Sequence, residues 1–179
     1  MTFELPFHEK IYSDQMNLAF NLAWKTNLKK NKRRLYWGIP SLLFGVFQIF
    51  LENYLGFLFL GLGLHYLINY FEFYNFYRTR KRTYFNMVTS EIGKQKEVAI
   101  NTVWEFNDEY FAVRDYIHDI KIKWSGFESF SIIENTLLLY LNYHTSPSYT
   151  ISKTELEETD FEKIIAFLET KIGHSRTKQ

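Results

Sequence analysis

The chain has five histidines, and any acid–base or metal chemistry would have to begin with them. His118 has a carboxylate beside it, that of Asp119. The surrounding residues alternate as in a β-strand, where adjacent side chains point to opposite faces of the sheet. We therefore predict that this pair does not act jointly as an acid–base pair or as metal ligands. The other histidines are isolated from one another: His8, His65, His144 and His174.

The remaining motifs do not predict catalysis either. Ser125 precedes Gly126, but the Gly-x-Ser-x-Gly pattern of a nucleophile elbow is missing. The Gly-Leu-Gly run at 61–63 lies in an apolar stretch rather than in a phosphate-binding turn. The chain contains no cysteine, which excludes disulfides, thiolate metal sites and cysteine nucleophiles. We predict no catalytic residue, no metal and no cofactor, and therefore no enzyme. Hydrophobic core rather than a ligand cage is expected around Trp104, Trp124 and Phe130.

Two apolar stretches, residues 35–51 and 54–77, are separated only by Glu52 and Asn53. Stretches of this length and spacing predict a two-helix transmembrane hairpin. Tyr and Trp occur near the predicted ends of the spans, where amphipathic rings favour the membrane interface. The first stretch gives a helix of roughly 25 Å, slightly short of a hydrocarbon core of about 30 Å.

Basic residues cluster on both sides of the hairpin. Positive charge close to spanning segments stays in the cytoplasm, so both termini are predicted to be cytoplasmic. We expect these residues to contact anionic lipids, each contributing about 1 kcal/mol. The plainer alternative is an orientation signal without lipid selectivity. The residues are Lys29, Lys30, Lys32, Arg33 and Arg34 before the first span and Arg78, Arg80, Lys81 and Arg82 after the second.

Each span carries one face of small or polar residues, which predicts the hairpin interface. If the spans mirror each other about the turn, Gly45 lies opposite Gly61, Ser41 opposite His65, and Arg34 opposite Glu72. An alternative hypothesis makes the ionisable members part of an ion or proton path, because intramembrane ionisable groups are functional candidates. Two helices cannot enclose a path, so this alternative requires an oligomer. The predicted interface is Gly38, Ser41, Gly45, Gly61, His65, Asn69 and Glu72.

Outside the hairpin the chain is predicted to form three further structured segments. Residues 1–34 combine an extended segment, broken at Pro6, with an amphipathic helix that begins at Asp14. Residues 78–97 are predicted as a juxtamembrane helix segment, in which Gly93 marks the end of the helix. Residues 98–173 alternate with a period near two and predict an antiparallel β-meander with a C-terminal helix. Residues 174–179 are predicted to be a disordered tail. The apolar stripe of the last helix is Phe161, Ile164, Ile165, Leu168 and Ile172.

The order of these parts resembles the YcxB-like family of bacterial membrane proteins. The resemblance is carried by the layout together with Ile-Lys-Trp-Ser-Gly-Phe at 122–127 and Ile-Ser-Lys at 151–153. It implies an α+β membrane protein, a two-helix transmembrane hairpin joined to a small pleckstrin-homology-like (PH-like) barrel with a C-terminal helix. It also implies a bacterial inner membrane, and it supplies no catalytic residue.

The sequence therefore predicts a non-enzymatic, membrane-tethered binding, scaffolding or regulatory module with a cytoplasmic PH-like domain. Its expected partners are the lipid bilayer, anionic lipids or a membrane protein, with a homo-oligomer left open and no nucleic acid. The alternative is an accessory subunit of a transporter or channel that uses the polar face of the hairpin.

Overall fold

The computed structural model describes residues 1–98, 100–142 and 147–172, so the predicted tail, His144 and His174 lie outside the described residues. The chain is an α+β protein with long helices and two antiparallel sheets, which confirms the predicted class at this level. It divides into two compact units. The first unit is Met1–Ala23 with Val88–Gln179, and the second is Trp24–Met87.

The elements follow one another with short connections. Two one-turn 3-10 helices, Trp124–Gly126 and Lys153–Glu155, interrupt the strands. The helices are α1 (Glu9–Phe50), α2 (Leu55–Val98) and α3 (Glu158–Ile172). The strands are β1 (Thr2–Leu5), β2 (Thr102–Phe106), β3 (Tyr110–Arg114), β4 (Asp119–Lys123), β5 (Phe127–Ile133), β6 (Thr136–Leu141) and β7 (Tyr149–Ser152).

The first strand pairs with a strand that lies on the far side of both long helices in the chain. β1 runs antiparallel to β2, with Phe3 opposite Trp104 and Leu5 opposite Thr102. The terminal ammonium of Met1 donates to the carbonyl of Phe106 at 2.9 Å, and the Phe106 amide donates back at 2.8 Å. The two long helices are thus inserted between neighbouring strands of one sheet. The sequence predicted that residues 2–5 are extended but not what they pair with.

The strands form two sheets rather than one continuous meander. The first has the order β1-β2-β3-β4 and the second β5-β6-β7. Trp124–Gly126 separates β4 from β5. Its Trp124 is buried in the core, and the indole nitrogen donates to the carbonyl of Asn107 at 2.8 Å. The turn that divides the sheets is therefore fixed by a buried tryptophan with a satisfied polar atom.

Aromatic side chains dominate the core between the sheets. The ring of Phe111 is fully buried and lies 5.2 Å from that of Trp104 and 5.3 Å from that of Phe106. Burial of Trp104, Trp124 and Phe130 confirms the prediction that they are core residues. The predicted stripe of α3 is also confirmed, since all five of its residues belong to or pack on this core: Phe161, Ile164, Ile165, Leu168 and Ile172.

Two predicted helix boundaries are wrong. α1 begins at Glu9, not at Asp14, so the predicted extended segment stops soon after Pro6. α2 continues through Gly93 to Val98, so residues 78–97 are not a separate helix. A glycine costs about 1 kcal/mol inside a helix relative to alanine, which is too little to end a helix of 44 residues. The start of the β domain moves accordingly from Val98 to Thr102.

Within the first unit, a buried polar network joins the start of α1 to the second sheet. Gln15 is 5% exposed, accepts a hydrogen bond from Thr150 at 3.2 Å and donates one to Glu155. The Glu155 carboxylate also accepts from the Ser152 amide at 2.7 Å. Burial raises the pKa of Glu155 above its ordinary value, while the bonds from Ser152 and Gln15 partly oppose that shift.

Glu155→Gln tests this network through its pH dependence. Because the pKa of Glu155 is raised on folding, the folded state holds the proton more tightly than the unfolded state. Native stability therefore falls as pH rises through the raised pKa, and it is greatest below the ordinary value. A neutral glutamine lacks this dependence, so the variant should be at least as stable as the wild type at pH 7. The difference in stability between the variant and the wild type should vanish toward pH 4.

The measurement is thermal unfolding of the full chain in detergent between pH 4 and 8, followed by near-UV circular dichroism. Glu169→Gln, at an exposed position of α3, is the control and should not change the curve. A Glu155→Gln variant that loses stability relative to the wild type as pH rises would contradict the account.

Candidate functional site

Glycines form the contact between the two helices of the second unit. A methyl group built on Gly45 would lie 2.7 Å from the backbone nitrogen of Leu60 and 2.9 Å from the carbonyl oxygen of Gly56. One built on Gly63 would lie 2.8 Å from the backbone nitrogen of Leu42. These contacts join residues early in one helix to residues late in the other, so α1 and α2 are antiparallel. Their backbones approach closely because no side chain separates them.

The contact runs along four glycines, of which two were predicted. Gly38 and Gly45 lie on α1 as expected, and half-buried Ser41 lies between them on the same helix. On α2 the contact is made by Gly56 and Gly63. Each pair is seven residues apart, which is two helical turns, so both members fall on one face. This shared spacing was the signal in the sequence that would have identified them.

The predicted opposition of Gly45 and Gly61 is wrong. A methyl group on Gly61 would meet no atom within 4 Å, so Gly61 lies on the outer face of α2. Gly45 instead faces Leu60 and Gly56. Successive residues of a helix are rotated by about 100°. An error of one residue in the mirror rule therefore moves an entire stripe from the contact face to the outside.

His65 follows Gly61 to the outer side of α2, and the half-buried Asn69 lies one turn further along. His65 is exposed, and its Nε2 lies 3.2 Å from the side-chain nitrogen of Asn69 in the next turn. Asn69 also donates to the His65 carbonyl at 2.7 Å. The polar groups of these two residues thus pair within α2. The predicted contact between Ser41 and His65 would instead have joined α1 to α2. Glu72 is exposed as well.

Arg34 has different partners from the predicted one. Its guanidinium donates to the side-chain oxygen of Asn31 at 3.3 Å and to the carbonyl of Asn69 at 3.4 Å, and not to Glu72. Asn31 in turn is 3% exposed and donates to the carbonyl of Tyr70 at 3.2 Å. Asn31 and Arg34 therefore bridge α1 to backbone carbonyls of α2. Asn31 was missed, although its position three residues before Arg34 places both on one face.

The predicted lipid-contacting residues lie on the surface of the helix pair, with the half-buried Arg34 as the exception. Three of them lie near aromatic rings. The Lys32 ammonium is 5.9 Å from the Tyr36 ring centre, the Arg80 guanidinium 5.1 Å from that of Phe76, and the Lys81 ammonium 5.8 Å from that of Phe85. The exposed members are Lys29, Lys30, Lys32, Arg33, Arg78, Arg80, Lys81 and Arg82.

The outer surface of the pair is mostly apolar from these clusters to the turn at Glu52 and Asn53. Among the described residues, one helix is long and apolar enough to cross a membrane, namely Leu55–Val98, and little of its most apolar stretch is buried. The apolar part of α1 is shorter, because only sixteen residues separate Arg34 from the end of the helix at Phe50. Large exposed apolar side chains on α1 include Trp37, Leu43, Phe47 and Phe50.

The β domain offers little chemistry. His118 pairs with Asp115, not Asp119, through Nδ1 at 3.2 Å. Burial alone would raise the pKa of Asp115, but donors from the Ile117 and His118 amides and the His118 ring together hold it below its ordinary value. No group of three or more potential metal ligands occurs in the part of the chain that the structure describes.

No family model matches the chain, no curated protein matches its sequence, and no solved structure matches its fold. The helix pair, with its glycine contact, apolar outer surface and basic clusters, is therefore the feature on which a function can be argued.

Alanine substitutions at two glycines test the corrected register. In Gly45→Ala the new methyl group meets the backbone of α2, and such overpacking should cost about 1–3 kcal/mol. In Gly61→Ala the methyl group meets open space, and the gain in helix propensity should stabilise the chain by up to about 1 kcal/mol. Thermal unfolding of both full-length variants in detergent measures the difference. Equal effects, or the reverse order, would show that the register is wrong.

Proposed function

We propose that this chain is a YcxB-like membrane protein whose helix pair spans the bilayer twice and anchors a β domain at the cytoplasmic surface. In this proposal the β domain is a non-enzymatic binding, scaffolding or regulatory module. The observation that carries it is the insertion of an apolar-surfaced helix pair between the neighbouring strands β1 and β2. A soluble protein rarely exposes an apolar surface this large.

The surface of the pair supports membrane insertion. Exposed side chains such as Phe57, Leu58 and Leu64 give α2 an apolar outer surface, and hydrocarbon is the solvent that suits it. Tyr36 and Trp37 of α1 and Tyr74 of α2 are exposed near the basic clusters. Along the helix pair, the order of apolar, aromatic and basic zones matches the layers of a bilayer from its core to its surface.

Strand pairing supports a topology with both ends on one side. β1 precedes α1 and β2 follows α2, and the two strands are hydrogen-bonded to each other. Two spans return the chain to the side from which it left, as this pairing requires. The basic clusters lie on each helix between its apolar stretch and the adjoining strand, β1 or β2, and the positive-inside rule assigns that side to the cytoplasm. A bacterial inner membrane is the corresponding location.

The strand order supports a PH-like β domain. Four antiparallel strands followed by three, and then by a helix whose Phe161, Ile164 and Leu168 enter the core, resemble that barrel. The long insertion between β1 and β2 is its distinctive departure. Anchoring raises the effective concentration of such a domain at the membrane, so a partner there is captured without high intrinsic affinity.

A second candidate is an accessory subunit of a transporter or channel. The outward position of His65 and Glu72 favours it, because polar groups on a lipid-facing surface are costly and mark functional contacts. It stands second because the polar atoms of His65 and Asn69 already pair within their own helix.

Cysteine labelling tests the proposed topology, and the absence of native cysteines makes the background clean. Asn53→Cys lies in the turn between the helices, and Ser125→Cys is exposed in the β domain. A membrane-impermeant maleimide added to intact bacterial spheroplasts should label the first and not the second. Detergent should expose both. Labelling of Ser125→Cys from outside, or of both positions only after lysis, would rule out the two-span topology.

A further inference from the structure

Five exposed side chains of α2 line a shallow cavity of about 420 Å³ immediately beyond the apolar surface of the second unit. We call them the Arg78 face. Arg78, Arg82 and Asn86 recur every four residues, and Thr79 and Thr83 form a parallel row. Residues at this spacing neighbour one another on a helix surface. Two guanidinium groups, two hydroxyls and an amide are therefore available to one ligand.

The charges of this face are uncompensated. The sequence between 73 and 90 contains four basic residues and no acidic residue. Arg80 and Lys81 point to the rings of Phe76 and Phe85. Arg78 and Arg82, by contrast, have no hydrogen bond or ion pair with any residue in the described ranges. Two guanidinium groups one turn apart thus present their donors to solvent.

This donor set suits a phosphate group. Guanidinium binds phosphate oxygens in a bidentate fashion, and hydroxyl and amide donors complete the coordination of a tetrahedral anion. We infer that the Arg78 face binds the phosphate of an anionic phospholipid. The inference rests on the proposed function, which places Arg78, one residue after Tyr77, at the level of the lipid head groups.

The geometry of α2 agrees with that depth. The charged Glu72 places the end of the hydrocarbon segment near Phe71, and the seven residues from there to Arg78 span about 10 Å of helix. The polar layer of a bilayer leaflet is about 5–8 Å thick. Arg78 can reach back into this layer because long basic side chains extend toward the interface. Thr79 and Arg82 follow within one turn, on the aqueous side.

The experiment compares two double variants that remove the same charge. Arg78→Gln/Arg82→Gln removes the face, whereas Arg80→Gln/Lys81→Gln removes two charges directed at aromatic rings. The full chain is purified in a neutral detergent and mixed with phosphatidylglycerol or phosphatidylcholine, and bound lipid is counted by native mass spectrometry. A third sample contains millimolar inorganic phosphate as a competitor. Circular dichroism checks that each variant is folded.

We expect the wild type to retain phosphatidylglycerol in preference to phosphatidylcholine. The inference narrows the predicted lipid contacts after the second span to Arg78 and Arg82, so Arg78→Gln/Arg82→Gln should lose about thirtyfold in this preference. The control should lose no more than about threefold, because the charges of Arg80 and Lys81 lie over the rings of Phe76 and Phe85. Equal losses would overturn the inference, because they indicate diffuse attraction to a basic surface. Absence of any preference would overturn it too. Displacement of lipid by millimolar phosphate would assign the site to a free anion and would equally overturn it.

Failure here is distinguishable from failure of the proposed function. A chain that does not span the membrane fails the maleimide experiment, whatever lipid it retains in detergent. A chain that passes the maleimide experiment but loses lipid equally in both double variants refutes only the Arg78 face.

Discussion

The pairing of β1 with β2 is the constraint on which the rest of this structure depends. These strands are neighbours in one sheet, yet two helices of 42 and 44 residues separate them in the chain. Closing a long flexible loop costs entropy. An antiparallel helix pair reduces that cost because it brings its own ends together. Strand pairing and helix pairing therefore stabilise each other, and any account of function must keep both ends of the pair at one sheet.

In the membrane location that we propose, the helix pair is held by the forces that operate in lipid. Apolar side chains gain nothing by leaving hydrocarbon for a helix contact, so close backbone packing and hydrogen bonds must hold the pair. Gly45 and Gly56 provide the first, and Asn31, which donates to the Tyr70 carbonyl, provides the second. The β domain is stabilised differently, by burial of aromatic rings around Phe111. One chain thus combines two kinds of packing, each suited to the solvent that we propose around it.

Local patterns predicted much of the fold, and helix phase was the main source of error. The antiparallel strands between residues 98 and 173 and the apolar stripe of α3 were predicted, because alternation, turn residues and helical spacing are local signals. The partner of β1 was not predictable, since no local signal links Phe3 to Trp104. The glycine contact was predicted correctly on α1 but misplaced on α2. There the predicted register was wrong by one residue, so His65 was expected at the contact although it lies on the outer face. Gly93 was overinterpreted, because a single glycine does not end a long helix.

Disulfide trapping of β1 against β2 tests the central claim most directly. Glu4 and Val103 are directly opposed and do not exchange backbone hydrogen bonds, a position at which the side chains of paired strands are close enough for a disulfide. A Glu4→Cys/Val103→Cys chain with a protease site inserted between Glu52 and Asn53 is oxidised in native membranes and then cleaved. We predict that the two fragments remain linked until they are reduced, whereas Glu4→Cys/Ile120→Cys fragments separate. Separation of the Glu4→Cys/Val103→Cys fragments without reductant would contradict the insertion of the helix pair between paired strands.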